Sequence, residues 1–217
     1  MERTKNRPLP AGRLHPNVAL YWGWGLIFAG TLLVWIFGNL LTACLGLFSA
    51  LSYIYFYTPL KVKSPYALYV GAIPGALPTL MGWTLVTDTL SGMGIYLFGL
   101  LFLWQIPHFM AISFYRREEY ANAHILTFAQ THPQSFIQIN ILLYSLMMLL
   151  YGLLPFVWGW RGQAYLDSSL IIGVILSFWA IIGFKKNPLD VKKWSRAYFF
   201  LTLFYLPMQL GVLLILR

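Results

Sequence analysis

The stretch Gly92-Met-Gly-Ile-Tyr-Leu-Phe-Gly-Leu-Leu-Phe-Leu-Trp104-Gln-Ile-Pro-His108-Phe-Met-Ala-Ile-Ser-Phe-Tyr-Arg116-Arg-Glu-Glu119 decides the fold. An uninterrupted run without Lys, Arg, Asp or Glu ends on two arginines and two glutamates. A spanning helix needs about 20 largely apolar residues. The run is continuously apolar rather than alternating, which excludes a strand of a membrane barrel. The charges mark where the helix meets water. The chain has six acidic residues, and two of them stand here. Paired carboxylates beside paired guanidiniums, under a helix that carries a histidine, suit the handling of a charged ligand. A metal ion and a phosphate fit that mixture of signs.

The rest of the 217 residues repeats the pattern. The chain is 59% hydrophobic and 10% charged, with a mean hydropathy of +0.67. A soluble domain carries about 25% charged residues, so this is an integral membrane protein. Nine Trp and fourteen Tyr suit a protein with many interfacial anchors. Seven spans are expected near 18–37, 39–57, 68–86, 92–114, 136–158, 166–184 and 197–216, in one all-α polytopic helical bundle covering residues 1–217. The first span follows a basic arm, 1–16, and is expected to stay in the membrane rather than act as a cleaved signal. Cys44 cannot form an intramolecular disulfide, being the sole cysteine, and is expected to be a small packing residue.

The net charge of +9 does not point to nucleic acid, because the basic residues lie in short loops between apolar segments. With a cytoplasmic N-terminus, the inner side receives Arg3, Lys5, Arg7, Arg13, Lys61, Lys63, Arg116, Arg117, Lys185, Lys186, Lys192, Lys193 and Arg196. Arg161 and Arg217 fall outside. That bias sets the expected topology. The arm, the loop 58–66 and the segment 115–135 then open on one face, so a site is expected to open to the cytoplasm. A transporter is disfavoured, since the spans hold few polar residues and no internal repeat is visible.

Four segments carry chemistry. Pro8 and Pro10 keep the arm Arg3-Thr-Lys5-Asn-Arg7-Pro-Leu-Pro10 out of a regular helix. An extended arm can turn several cations toward a phosphate, though it also reads as a topogenic signal. The loop Tyr57-Thr-Pro-Leu-Lys61-Val-Lys63-Ser-Pro65 holds two lysines between prolines and leaves the same two readings open. In the next span Gly71 and Gly75 share a helix face and permit close approach, while Pro74 and Pro78 are expected to bend it. A bend either opens a cavity or merely serves packing. At 100° per residue, Trp104, His108, Tyr115 and Glu119 fall along one stripe, with Arg116 about 80° from His108. A histidine in a span is either a hydrogen-bonded packing residue or a functional one; here it would point at the charge cluster. Together these features suggest a phosphate-bearing lipid substrate. An apolar bundle holds the tail, basic loops hold a diphosphate, and carboxylates hold Mg²⁺.

Several pieces occur in order and at suitable spacing: Arg3-Thr-Lys-Asn-Arg7-Pro-Leu, Tyr57-Thr-Pro-Leu-Lys61, Gly75-Ala-Leu-Pro78 with Gly82-Trp83, and Trp104-Gln-Ile-Pro-His-Phe109 through Tyr115-Arg-Arg-Glu-Glu-Tyr120. Over essentially the whole chain they resemble the UbiA-type membrane prenyltransferases, in particular the protoheme IX farnesyltransferase (haem O synthase) branch. The resemblance implies transfer of a farnesyl group from farnesyl diphosphate to a vinyl group of haem b, with addition of water, giving haem O for terminal oxidases or as precursor of haem A. It implies Mg²⁺ as cofactor, and haem b, farnesyl diphosphate and membrane lipid as partners. Haem A synthase or oxidase assembly factors are further candidate partners. By motif matching, Arg3, Lys5, Arg7, Tyr57, Lys61, Arg116 and Arg117 would bind diphosphate. Glu118, Glu119 and Tyr120 match an acidic motif, with Glu118 and Glu119 as metal ligands. His108 matches the family histidine, and it stands with Glu118, Glu119 and Tyr120 among the expected catalytic residues.

The family pattern has nine spans, with an Asn- and Asp-rich motif just upstream of the Arg3 segment. This chain is expected to be a truncated form lacking that motif and the two spans before it. Downstream of Tyr120 it reads Ala121-Asn-Ala-His124-Ile-Leu-Thr127, where the family has a different element. Trp104 or Tyr115 would shield an allylic cation. Two rival readings remain: a prenyltransferase acting on a quinone-type aromatic acceptor, and a non-catalytic membrane protein that binds haem or prenyl lipid. The expected location is the bacterial inner membrane, with the site facing the cytoplasm.

Overall fold

The computed structural model describes residues 6–184 and 187–216. Among them there is no strand, and seven helices are long and apolar enough to cross a membrane. The elements are α1 (Pro16–Phe37), α2 (Leu40–Ser52), a π-helical turn (Tyr53–Tyr57), α3 (Thr58–Leu60), α4 (Ala67–Thr87), α5 (Gly92–Tyr115), α6 (Arg117–Asn122), α7 (Phe128–Thr131), α8 (Gln134–Val157), α9 (Gln163–Ile182) and α10 (Pro188–Ile215). The protein is a multi-pass integral membrane protein.

Three helix starts follow directly from the sequence. His15 precedes Pro16, and its Nδ1 accepts from the Asn17 backbone N–H at 3.3 Å. The Asn39 side chain caps α2 by accepting from Thr42 N at 2.8 Å. Asn187 does the same for α10, accepting from Leu189 N at 3.0 Å with Pro188 in the first turn. Capping explains the largest boundary difference. The last span was expected from 197, yet its helix begins at Pro188, and Lys192, Lys193 and Arg196 ride on its first turns. Charged side chains are tolerated on a helix whose end lies beyond the hydrocarbon, so hydropathy marks the span and not the helix.

α5 stands at the centre. It packs against α4 on one side and α8 and α10 on the other. The solid core lies on the α8–α10 side and includes Leu100, Ile106, Met110, Ile141, Met148, Tyr165, Leu176 and Tyr198. Small residues let these helices approach: a Cβ at Gly173 would stand 3.1 Å from the Leu149 backbone. Buried polar groups join them. Gln209 donates to the Tyr165 hydroxyl (3.0 Å) and to Ser169 Oγ (2.8 Å), and Tyr205 donates to Met148 O at 3.2 Å. α1, in contrast, packs along α2 and buries none of its residues.

The chain crosses back and forth, so the loops 61–66 and 116–133 share an end. A backbone bond from Leu126 N to Lys61 O (3.1 Å) ties them together. Arg161 lies at the opposite end, where its Nε donates to Leu213 O at 2.7 Å. α4 runs unbroken through Pro74 and Pro78. Cys44, expected to pack, is exposed on α2 instead. A thiol of this size is tolerated on a face turned to lipid.

Candidate active site

A pocket of about 810 Å³ runs between α2, the π-helical turn, α4 and α5, and reaches Ile27 of α1. Its walls are built by period. On α4 the lining residues are Ala67, Leu68, Gly71, Ala72, Pro74, Gly75, Pro78 and Met81, a stripe at helical spacing. From residue 67 to residue 81 that stripe is about 21 Å long. On α5, Gln105, Phe109 and Ser113 contribute at every fourth position. The glycines make room as the sequence led one to expect. A Cβ at Gly71 would stand 2.5 Å from the Tyr57 ring, and one at Gly75 would collide with Gln105 Oε1.

The mouth is polar and aromatic. Tyr53, Tyr57, Lys61, Tyr120 and Thr127 line it. The π-helical turn, closed by the i→i+5 bond from Thr58 N to Tyr53 O, places Tyr53 and Tyr57 together, with ring centroids 5.0 Å apart. The Lys61 ammonium lies over the Tyr57 ring, 5.8 Å from its centroid. The segment 125–128 closes the side of the mouth, held by the Leu126–Lys61 backbone bond. The positive charge and phenol groups at the mouth, above an apolar shaft, suit an anionic head on a long apolar tail.

Of the residues nominated from sequence, Tyr57, Lys61 and Tyr120 meet at this pocket. Arg3 and Lys5 lie outside the described residues. Arg7 is exposed in a turn-rich arm, where its carbonyl accepts from Ala11 N, and it is not part of the pocket lining. His108 is turned away. It sits roughly 100° round α5 from Phe109 and is 7% exposed, stacked on Trp104 (4.4 Å) and against Phe199 of α10 (4.6 Å). The Thr202 hydroxyl donates to Phe199 O at 2.6 Å and so accepts from His108 Nδ1–H at 2.7 Å. Trp104 Nε1 donates to Thr202 O at 2.7 Å. Tyr115 also packs on Phe199 (5.8 Å). The aromatic residues on the pocket side are therefore Tyr53, Tyr57, Phe109, Tyr120 and Phe128, not the expected Trp104 and Tyr115.

The charge cluster departs from the helical wheel as well. α5 ends at Tyr115, and Arg116 adopts φ −107°, ψ 25°, so α6 starts a new helix and the stripe from His108 does not continue to Glu119. Arg116 forms a two-pronged pair with Glu119 (2.8 and 2.9 Å) and donates to the Tyr115 hydroxyl at 2.8 Å. The tyrosine hydroxyl first, and Glu119 second, push the guanidinium above its ordinary value. Arg117 and Glu118 are exposed, and none of the four charged residues lines the pocket.

Among the described residues no carboxylate lines the pocket. Glu119 is held by Arg116, and Glu118 lies about 200° round α6 from the pocket-facing Tyr120. Among the described residues no three His, Cys, Asp or Glu side chains gather within reach of one ion. Mg²⁺ uses one or two carboxylates only when phosphates and water complete its octahedron.

Sequence reading missed Tyr53, Gln105, Phe109, Ser113 and Thr127. Gln105 could have been found: it is the polar neighbour of His108 in an apolar span and lies about 60° from it on the same wheel, on the side toward Phe109. Its amide donates to Ala72 O (3.3 Å) and Leu101 O (3.1 Å), which aims the oxygen at Gly75.

Comparison with known proteins gives the family. The profile of the UbiA prenyltransferase family matches residues 1–204. Protoheme IX farnesyltransferase of Myxococcus xanthus is 40% identical over 206 residues, covering 95% of this chain and 69% of the relative. The enzyme of the same name from Sorangium cellulosum is 36% identical over 215 residues, covering 99% and 76%. Protoheme IX farnesyltransferase 1 of Pseudomonas putida is 37% identical over 205 residues, covering 92% and 69%. No solved structure matches. A membrane bundle with a deep apolar pocket, matched by one profile over nearly its whole length, belongs to the UbiA prenyltransferase family.

Proposed function

We propose that this chain transfers a farnesyl group from farnesyl diphosphate to a vinyl group of haem b, as the names of its relatives suggest. One observation carries the reading: an apolar shaft about 21 Å long ends under Lys61, Tyr57 and Tyr120. The farnesyl tail lies in the shaft. Lys61 and the two phenols meet the diphosphate at the mouth, which faces the cytoplasm of a bacterial inner membrane, where the basic loops belong.

The chain's own groups account for much of the reaction. Lys61 offsets the negative charge that builds on the leaving diphosphate as the C1–O bond breaks and takes the electron pair with it. The allylic cation left behind is flanked by the faces of Tyr53, Tyr57 and Phe109. The haem vinyl π electrons form the new bond to C1. The cation this creates beside the porphyrin takes up water, which releases a proton. An apolar shaft keeps other water away from the reactive carbon. The expectation that Glu118 and Glu119 hold Mg²⁺ has no support in a donor set facing the pocket, and no step passes through the ion. His108 serves packing between α5 and α10.

The test is direct. Protein reconstituted in liposomes with haem b and farnesyl diphosphate should give farnesylated haem by extraction and mass analysis, and Lys61→Ala should remove most of it. Turnover of a quinone-type acceptor in place of haem, or haem binding with no product in folded protein, would refute the reading.

A further inference from the structure

We propose that the contact between Gly46 of α2 and Met81 of α4 sets the length of the prenyl chain that the pocket accepts. This rests on the reading of the shaft as the prenyl site. The end farthest from the mouth has a definite construction. Beyond it, α2 and α4 are fastened by the Thr42 and Thr84 hydroxyls, 2.8 Å apart and 2% and 0% exposed. Asn39 Nδ2 adds a bond to Thr84 O at 2.7 Å. The Thr84 hydroxyl also donates to Met81 O at 3.3 Å, so it accepts from Thr42, and a lipid tail that parted the two would leave the buried Thr42 donor without this partner.

One turn nearer the mouth the same two faces present Gly46 and Met81, four residues on from Thr42 and three back from Thr84. Both line the pocket. Gly46 has no side chain, and the Met81 terminus fills that gap: a Cβ at Gly46 would stand 2.9 Å from Met81 Cε. The stop is thus a thioether lying across a glycine, backed by a polar clasp. Methionine is flexible and adapts to what it touches, so the clasp gives a hard limit and Met81 a tunable one. Among the described lining residues, Pro78, one turn above, is fixed by its ring, and Ile27 approaches from α1.

Two kinds of variant move the stop in opposite directions. Met81→Ala deepens the shaft, and Met81→Phe or Gly46→Ala shortens it, the latter by pushing the Met81 terminus toward the mouth. Met81→Leu conserves volume and serves as control. The full chain in liposomes is given geranyl, farnesyl and geranylgeranyl diphosphates (C10, C15 and C20). Two readouts are taken: kcat/KM with haem b, and the shift in thermal unfolding on adding each diphosphate alone.

The expected result is a C20-to-C15 preference raised about tenfold or more by Met81→Ala, a C10-to-C15 preference raised by Met81→Phe and Gly46→Ala, and no change for Met81→Leu. If Met81→Phe does not fold, Met81→Ala and Gly46→Ala decide the matter between them. A chain-length profile that stays put in both readouts overturns the proposal. A profile that moves in the thermal shifts while haem stays unmodified upholds the stop and rejects the haem reaction instead.

Discussion

On one side of α5, Gln105, Phe109 and Ser113 face an open shaft; on the other, Trp104 and His108 are wedged against Phe199 and Thr202 of α10. The shaft side is built from glycines, prolines and half-exposed aromatics, and α1 on its flank buries nothing. The α10 side is filled: Ile106, Met110, Tyr165 and Tyr198 are buried to 1% exposure or less, and their polar atoms are tied across helices. One helix thus divides a region that can admit a ligand from a region that holds the bundle together. Chemical type alone does not tell the two apart. The residue with the more reactive side chain, His108, stands on the structural side, and a plain amide stands at the pocket.

That division can be broken or sharpened by substitution. The largest effect is expected at the mouth: Lys61→Ala should reduce kcat/KM about 10²–10³-fold, the scale for losing one preorganised group at a developing charge, with little change in thermal unfolding. On the packed side, Gly173→Leu must displace Leu149, and overpacking of this kind destabilises by about 1–3 kcal/mol, read as a lower unfolding temperature in detergent. Next comes a matched pair on α5. Gln105→Leu should lower turnover about tenfold by removing the one amide held at mid-pocket. His108→Gln should leave turnover within about threefold at temperatures where the protein is folded, and should lose about 1 kcal/mol of stability with the Thr202 bond. A His108 variant that folds normally and is inactive would contradict the division outright. The smallest effect belongs to Glu119→Gln, whose exposed pair with Arg116 contributes at most about 1 kcal/mol.

Much of this was legible in the chain. The spans were, because hydropathy is a local sum, and among the described residues the loops that carry Lys61, Lys63, Arg116 and Arg117 share one end. Lys61 and Tyr57 were nominated by the motif resemblance, their loop alone leaving two readings open, and Gly71 and Gly75 by their spacing. What stayed hidden depended on partners distant in sequence. A helical wheel gives the angle between His108 and Phe109 but not which of them meets α10; that is settled by Phe199 and Thr202, some ninety residues on. The break after Tyr115 carries no Gly or Pro to announce it, and it occurs where Arg116 turns to bond both the Tyr115 hydroxyl and Glu119. The π-helical turn at Tyr53–Tyr57 likewise lacks a mark in composition, yet it sets two rings into the pocket. A change of one residue in helical phase is invisible to periodicity and decisive for a lining.

The bond from Leu126 N to Lys61 O joins two loops across the mouth of the pocket. It immobilises the lysine at its root while the tip rests on an aromatic face. A long flexible cation normally surrenders rotational freedom when it grips an anion, which weakens the grip. Here part of that loss is already met during folding, by a length of chain from beyond the next two spans. Lengthening the segment 123–127 by a residue would leave every side chain at the mouth in place by name, yet turn a poised arm into a wandering one.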